Sequence, residues 1–273
     1  MNGMGKPEMN DASGTQAEAT TPLLTVANGR ATVSLNRPAM HNRLEPADLR
    51  RLIEIFDEVE SRDDCRVLVL TATGKSFCSG FHLGALAERD ERDEAHDPDA
   101  FEKMVNKLES LTIPTIAAIN GGTYGGATDM VLACDFRIGV EGMRCFMPAT
   151  RLGIVYYASG VRRYVSRLGV NNAKKMFLTA KPIEADELLR MQFLTELLPV
   201  EQLTKQVDEL AETIAANAPL AVAAMKKGLN EQAVGELDIE RHLAAKQRSS
   251  ASEDHQEALK AWQEKRKPVF KGL

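Results

Sequence analysis

Hydrophobic positions fall into runs of two periods along the chain. Pattern begins at Leu23–Val26, and Ala31–Leu35 alternates apolar and polar residues, with Asn28-Gly29 between them as a hairpin signal. Residues 46–60 instead place Leu49, Leu52, Ile53, Ile55, Phe56 and Val59 at helical spacing, which predicts an amphipathic helix. Arg66–Thr71 is almost continuously apolar, as expected of a strand buried on both faces. A helix over 100–111 and a strand at Pro114–Ile119 repeat the pattern. A glycine turn, a helix from about 126 and a strand at Phe136–Val140 follow. This alternation predicts an α/β fold built from successive ββα turns. After about residue 201 no strand signal remains. The segments 201–216, 219–233, 236–249 and 253–266 read as amphipathic helices with more apolar face than one small cap needs, which predicts burial against other subunits.

Composition narrows the function classes. Hydrophobic residues make up 44% and charged residues 27% of 273, the balance of a globular chain with a sizeable core. The net charge of −5 provides no overall positive field for nucleic acid or anionic lipid, so neither is expected as a partner. RNA binding also lacks a basic helix. No stretch reaches the roughly 20 apolar residues of a membrane helix. Residues 1–21 are rich in small polar residues without apolar period and read as a disordered tail, neither a signal peptide nor a transit sequence. Residues 88–99 are nearly all charged and read as a solvated loop. Cys65, Cys78, Cys134 and Cys145 are scattered, with no metal-ligand spacing, which suits a reducing cytoplasm and predicts no metal site.

Two glycine-marked segments stand out as candidate chemistry. One runs Lys75-Ser76-Phe77-Cys78-Ser79-Gly80-Phe81-His82-Leu83 after a strand. The other runs Asn120-Gly121-Gly122-Thr123-Tyr124-Gly125-Gly126-Ala127-Thr128-Asp129-Met130 between a strand and a helix. Glycines there permit close backbone approach, and the first amides of a helix point outward at its positive end. Two such turns on neighbouring strands can aim two N–H groups at one oxygen, an oxyanion hole suited to a thioester oxygen becoming an enolate. Each segment alone also reads as an ordinary tight turn.

Taken together and in order, these segments resemble the crotonase superfamily, the enoyl-CoA hydratase/isomerase family. The resemblance runs from about Leu23 to the C-terminus. It includes Leu35-Asn36-Arg37-Pro38, Phe77 to Leu83, Ala117 to Asp135, Leu152-Gly153 and Glu264-Lys265-Arg266-Lys267-Pro268. The resemblance implies a ββα spiral core over 22–200, a helical trimerisation region over 201–273, and a homotrimer or hexamer. It also implies an acyl-CoA thioester substrate and no metal or redox cofactor, coenzyme A being part of the substrate. By position, the oxyanion amides fall on Phe81 and Gly126. Arg37 and Met40 fall near the CoA body, backbone at Ser79, Phe81 and Leu83 at the adenine end, and Lys265, from a neighbouring subunit, near the phosphates. The ordinary reading of the terminal basic run is a solvated helix end.

The resemblance departs at the acid/base positions. Of the two glutamates of typical hydratases, the first falls on Asp129, shorter by one methylene, and the second on Ala149, which transfers no proton. Two-glutamate hydration is therefore disfavoured, and Asp129 reads either as a base or as an acid near a helix N-terminus. Tyr156 matches a tyrosine that orients the departing carboxylate in the methylmalonyl-CoA decarboxylase branch, which shares the Gly125-Gly126-Ala127 turn. Tyr157 stands where other branches carry an aspartate, and the expectation for it is packing with its hydroxyl on backbone. His82 is expected to point away from a site built by its neighbour's amide. His41 and His242 lack partners, and Ser79 lacks a His and Asp at triad spacing. Decarboxylation or isomerisation is the leading expectation. Hydration by Asp129 alone and CoA binding without turnover are the alternatives.

Overall fold

The computed structural model of the protein describes residues 21–82 and 97–273. All but the last residue of the expected tail, most of the charged loop and the candidate Leu83 lie outside the described residues.

Two strands open the fold, β1 (Leu23–Ala27) and β2 (Arg30–Leu35), paired antiparallel with Ala27 opposite Arg30. Asn28 and Gly29 both take positive φ, 53° and 76°, as a tight hairpin turn of matching twist requires. Helix α1 (Pro46–Glu60) buries Leu49, Leu52, Ile55, Phe56 and Val59, the stripe its spacing predicts. Asp48 caps it by accepting from the Glu45 amide at 2.8 Å.

The chain then alternates between two sheets. Strand β3 (Val67–Ala72) leads to β4 (Ser76–Cys78), and helix α2 (Ala100–Ser110) returns it to β5 (Thr115–Ile119). The next turn is β6 (Gly122–Tyr124) and α3 (Gly126–Leu132). Then come β7 (Phe136–Val140) and β8 (Arg144–Phe146). Helix α4 (Ala158–Thr179) breaks at Gly169, whose φ of 72° and ψ of 159° are not helical. Strand β9 (Ile183–Glu184), helix α5 (Ala185–Arg190) and strand β10 (Glu196–Leu198) complete the sheets.

The large sheet has the order β1-β2-β3-β5-β7-β10 and the small one β4-β6-β8-β9. After the opening hairpin, the pairs β3/β4, β5/β6 and β7/β8 each place their first strand in the large sheet and their second in the small one. All pairs from β2 to β10 in the large sheet are parallel, and β5 is buried at every position. That explains its unbroken apolar sequence, since a strand buried on both faces has no side that needs polar residues.

Four helices follow: α6 (Leu203–Ala215), α7 (Pro219–Gln232), α8 (Ile239–Ser250) and α9 (Glu253–Gln263). Helix α6 packs on β3, β5 and β7. Lys226 of α7 ties back to the core, its Nζ 2.8 Å from both the Ile113 carbonyl and Asp135. Among the described residues no helix is long and apolar enough to cross a membrane, and no group of three His, Cys, Asp or Glu residues is placed to hold a metal ion.

Candidate active site

The two glycine-marked turns meet because β4 and β6 pair in parallel, Ser76 opposite Gly122 and Cys78 opposite Thr123. The three-residue strands deliver the chain beyond Cys78 against the chain beyond Tyr124. Contact is close at Gly80, where φ is +93°. A Cβ there would stand 2.7 Å from the Tyr124 carbonyl oxygen and 3.5 Å from the Gly126 nitrogen. Both the space and the left-handed backbone require glycine.

This approach brings the Gly80–Phe81 segment against the Gly125–Gly126 segment. Leu44 bridges the Phe81 segment, donating to the Gly80 carbonyl at 2.9 Å and accepting from His82 at 3.0 Å. A parallel bridge of that register turns the Phe81 N–H away from Leu44. Gly126 is the first residue of α3, where an N–H has no partner within the helix. Its amide sits at the positive end of the helix dipole, suited to hold a developing negative charge. Phe101 of α2 walls this spot, since a Cβ on Gly126 would lie 2.6 Å from its ring.

One turn into α3, Asp129 is wholly buried. Its Oδ2 lies 2.8 Å from Nη1 of Arg163, itself without exposed surface, and accepts from the Tyr157 hydroxyl. Its Oδ1 is buried with no hydrogen-bond partner. Burial pushes the Asp129 carboxyl above its ordinary range, against the downward pull of Arg163 and Tyr157. Arg163 is held charged by Asp129 and Glu109, which outweigh its own burial. Its Nη2 donates to Asn106 at 2.7 Å and Glu109 at 3.1 Å. Glu102, Asn106 and Glu109 form a polar stripe on α2, and Glu102 accepts from Ser159 at 2.6 Å.

Tyr156 and Tyr157 stack with ring centroids 4.3 Å apart, and the Tyr156 hydroxyl donates to that of Tyr157 at 3.2 Å. Burial and the nearby Asp129 charge push both phenols well above their ordinary value, so both stay protonated at neutral pH. The site thus holds a directed chain, Tyr156 to Tyr157 to Asp129, anchored by Arg163. A cleft of about 610 Å³ opens on the far side of Glu109, lined by Arg162, Arg167, Lys227 and Arg241 among others. It contains neither Phe81 nor Gly126, so the amides, not the cleft, locate the candidate chemistry.

The enoyl-CoA hydratase/isomerase family profile matches residues 25–273. The chain belongs to this family. A Bacillus subtilis relative bearing the family's name is 34% identical over 257 residues, covering 92% of this chain and 98% of its own length. A short-chain-enoyl-CoA hydratase of Clostridium acetobutylicum is 31% identical over 242 residues, covering 87% and 92%. The crystal structure of an enoyl-CoA hydratase from Bacillus anthracis superposes with a TM-score of 0.84 at 32% identity, covering 93% of this chain and all of that one. The α/β fold is therefore the crotonase fold, with its parallel sheet and helical C-terminal part.

Within this crotonase-superfamily chain the sequence candidates fall in three places. Phe81, Gly126, Asp129 and the two tyrosines gather around α3, joined by Phe101, whose ring centroid is 5.9 Å from Phe81 and 6.4 Å from Tyr157. Ser79 and Met40 meet, the Ser79 hydroxyl donating to the Met40 carbonyl at 3.3 Å. Arg37 lies nearby but commits its Nη2 to both oxygens of Asp48, at 3.1 and 3.0 Å. Lys265 is exposed in the turn after α9, its amide on the Trp262 carbonyl at 3.2 Å.

Two side chains differ from expectation. Tyr157 does not satisfy its hydroxyl on backbone: it serves as helix N-cap of α4, and its extended φ and ψ of −68° and 155° turn the ring towards Asp129. His41 has a partner, its Nδ1 lying 3.0 Å from Ser76 Oγ. His82 is paired as well, its Nδ1 2.9 Å from Glu45 Oε2. Arg163 was missed because an arginine pair inside an amphipathic segment reads as a solvated face. Ala149 is buried, and no acid stands there.

Proposed function

We propose that the protein acts on an acyl-CoA thioester through an enolate whose oxygen is held by the amides of Phe81 and Gly126. We propose further that the reaction is decarboxylation or double-bond isomerisation. The observation that carries this reading is the state of the acid/base pair. Ala149 offers no proton, and the remaining carboxylate, Asp129, is wholly buried with Oδ2 engaged by Arg163 and Tyr157. Hydration across a double bond needs water positioned and a proton delivered, which two free carboxylates do well. Loss of CO₂ generates the enolate unaided, and isomerisation moves one proton between two carbons, so either runs with a single proton-holding group.

In this reading Tyr156 orients a departing carboxylate, Asp129 holds the proton of the reaction, and coenzyme A enters as part of the substrate. Arg37, Met40, Ser79 and Phe81 line the CoA side, and Lys265 reaches the phosphates across a subunit boundary of a trimer or hexamer. The bare Oδ1 of Asp129 supports a second reading, hydration by that carboxylate alone, since it retains lone pairs for one water.

Incubation with crotonyl-, methylmalonyl- and dienoyl-CoA, followed by mass, tests the choice. Loss of CO₂ or a shifted double bond is the expected outcome. Hydration of crotonyl-CoA as the main reaction transfers the assignment to the second reading, and binding without turnover of any thioester refutes both.

A further inference from the structure

Asp129 is the acid of the site, yet it has no exposed surface through which to meet a substrate. Among the side chains bonded to it, Arg163 is equally enclosed and Tyr157 is part-exposed. Tyr157 is also the link to the amides. Its ring leans on Phe101, and Phe101 lies over Gly126. Its oxygen donates to Asp129 Oδ2 and accepts from Tyr156 at 3.2 Å.

We propose that Tyr157 is the catalytic residue that exchanges the proton with the substrate, and that Asp129 is the buried store behind it, positioned by Arg163. This rests on the enolate reading above and names the group through which its proton moves. In the forward direction the bond from the substrate's α-carbon to hydrogen breaks, and its electron pair passes into the thioester as the enolate. The proton goes to the Tyr157 oxygen while the proton already on Tyr157 crosses to Asp129 Oδ2. The carboxylate becomes a neutral acid. Reversal returns the proton to carbon, at the same or the conjugated position. After loss of CO₂, Tyr157 gives its proton to the α-carbon as the Tyr156 proton crosses to the Tyr157 oxygen, and water restores the proton of Tyr156.

The physical case is the opposition of two tendencies in Asp129. Burial favours its neutral form, while Arg163 and the Tyr157 hydroxyl favour the anion. The net direction is upward, which eases acceptance of a proton from Tyr157. Tyr157 keeps its own proton at neutral pH, so transfer through it is concerted and never passes through a free phenolate. Arg163 owes its aim to the α2 stripe of Asn106 and Glu109.

The test is exchange of the α-hydrogen of a saturated acyl-CoA thioester in heavy water, read by mass. Tyr157→Phe keeps the ring and its stacking and removes only the hydroxyl. Exchange is expected to fall by about 100-fold or more, the usual contribution of a positioned acid or base. Asp129→Asn is expected to fall as far, and the double variant no further, because the two act as one unit. Fluorotyrosine in place of Tyr157, a more acidic phenol of nearly the same shape, is expected to displace the pH profile of exchange, which a packing role would not. It also serves if Asp129→Asn does not fold. Exchange retained within a few-fold in Tyr157→Phe, with an unmoved profile for fluorotyrosine, overturns the assignment and leaves the enolate reading intact. Wild-type protein that binds the thioesters but neither exchanges hydrogen nor releases CO₂ from methylmalonyl-CoA overturns both.

Discussion

Replacing Arg163 by methionine isolates the ion pair on which the candidate site is built. Methionine has similar length and no charge, so it fills the space and removes three partners at once. Asp129 loses its 2.8 Å contact, and Asn106 and Glu109 lose contacts of 2.7 and 3.1 Å. Glu109 keeps Arg162 at 3.0 Å and reaches solvent, so its loss is small. Asp129 is left as a buried charge with Tyr157 alone. Breaking a buried pair from one side costs about 3–5 kcal/mol, and that is the expected loss for Arg163→Met at neutral pH. Arg163→Met with Asp129→Leu removes both charges and is expected to recover about 2 kcal/mol of it. The residue, about 1–3 kcal/mol, is the Tyr157 hydroxyl left without an acceptor.

The same variant carries a pH signature. The Asp129 carboxyl is already raised by burial in the folded protein, and loss of Arg163 removes the largest pull against that rise. A carboxyl raised above its unfolded value contributes stability that is complete below the unfolded value and is lost as pH climbs through the folded one. The deficit of Arg163→Met against wild type is therefore greatest at neutral pH and narrows on acidification. Carboxylates that Arg163 does not touch titrate in both proteins and cancel in the difference, and Glu109, which keeps Arg162, adds little. Denaturant unfolding at fixed protein concentration, compared at neutral and mildly acidic pH, measures this directly. A neutral-pH deficit below about 1 kcal/mol, the range of exposed pairs, refutes the reasoning, as does a deficit that widens in acid.

Gly126→Pro removes the proposed enolate donor. Because a Cβ there meets the Phe101 ring at 2.6 Å, it is read against Gly126→Ala, which meets the same ring but keeps the N–H. Turnover of a confirmed substrate is expected to be about 100-fold lower in the proline variant, both proteins being shown to be folded. Full activity would place the donor elsewhere. Gly80→Ala meets both a positive φ and the Tyr124 carbonyl, and denaturation should show it markedly less stable than Gly142→Ala, which has a positive φ and open space. All four cysteines are buried, with the thiols of Cys78 and Cys134 pushed up to about 12, so native protein should resist alkylation until unfolding exposes four thiols. Rapid labelling of the native state would contradict this. Trp262 at 81% exposure, Leu229 at 61% and Val155 at 95% leave apolar surface for a trimer or hexamer, and sedimentation as a stable monomer at micromolar concentration would exclude it.

What the sequence showed and what it concealed divide on a physical line. Asn28-Gly29, the stripe of α1 and the unbroken apolar run of β5 were legible because each is a local rule, the first a turn dipeptide and the others patterns held over five or more residues. The small sheet was not. Its strands at Ser76–Cys78, Gly122–Tyr124 and Arg144–Phe146 are three residues long, too short to display a period, yet their pairing brings Gly80 against Gly126. Loss of the second acid could be read directly from Ala149, whereas what surrounds the first acid could not. Arg163 looks like any helix-surface arginine until α2 turns Asn106 and Glu109 towards it. Those residues and Glu102 stand at helical spacing, so a signal was present, but nothing local says which helix they face. Tyr156 and Tyr157 are chemically alike neighbours, and the backbone at the start of α4 alone decides which hydroxyl meets Asp129. The carboxylate's chemistry therefore depends on the docking of α2 and α4, and a substitution at that helix contact should alter proton transfer without touching either proposed oxyanion amide.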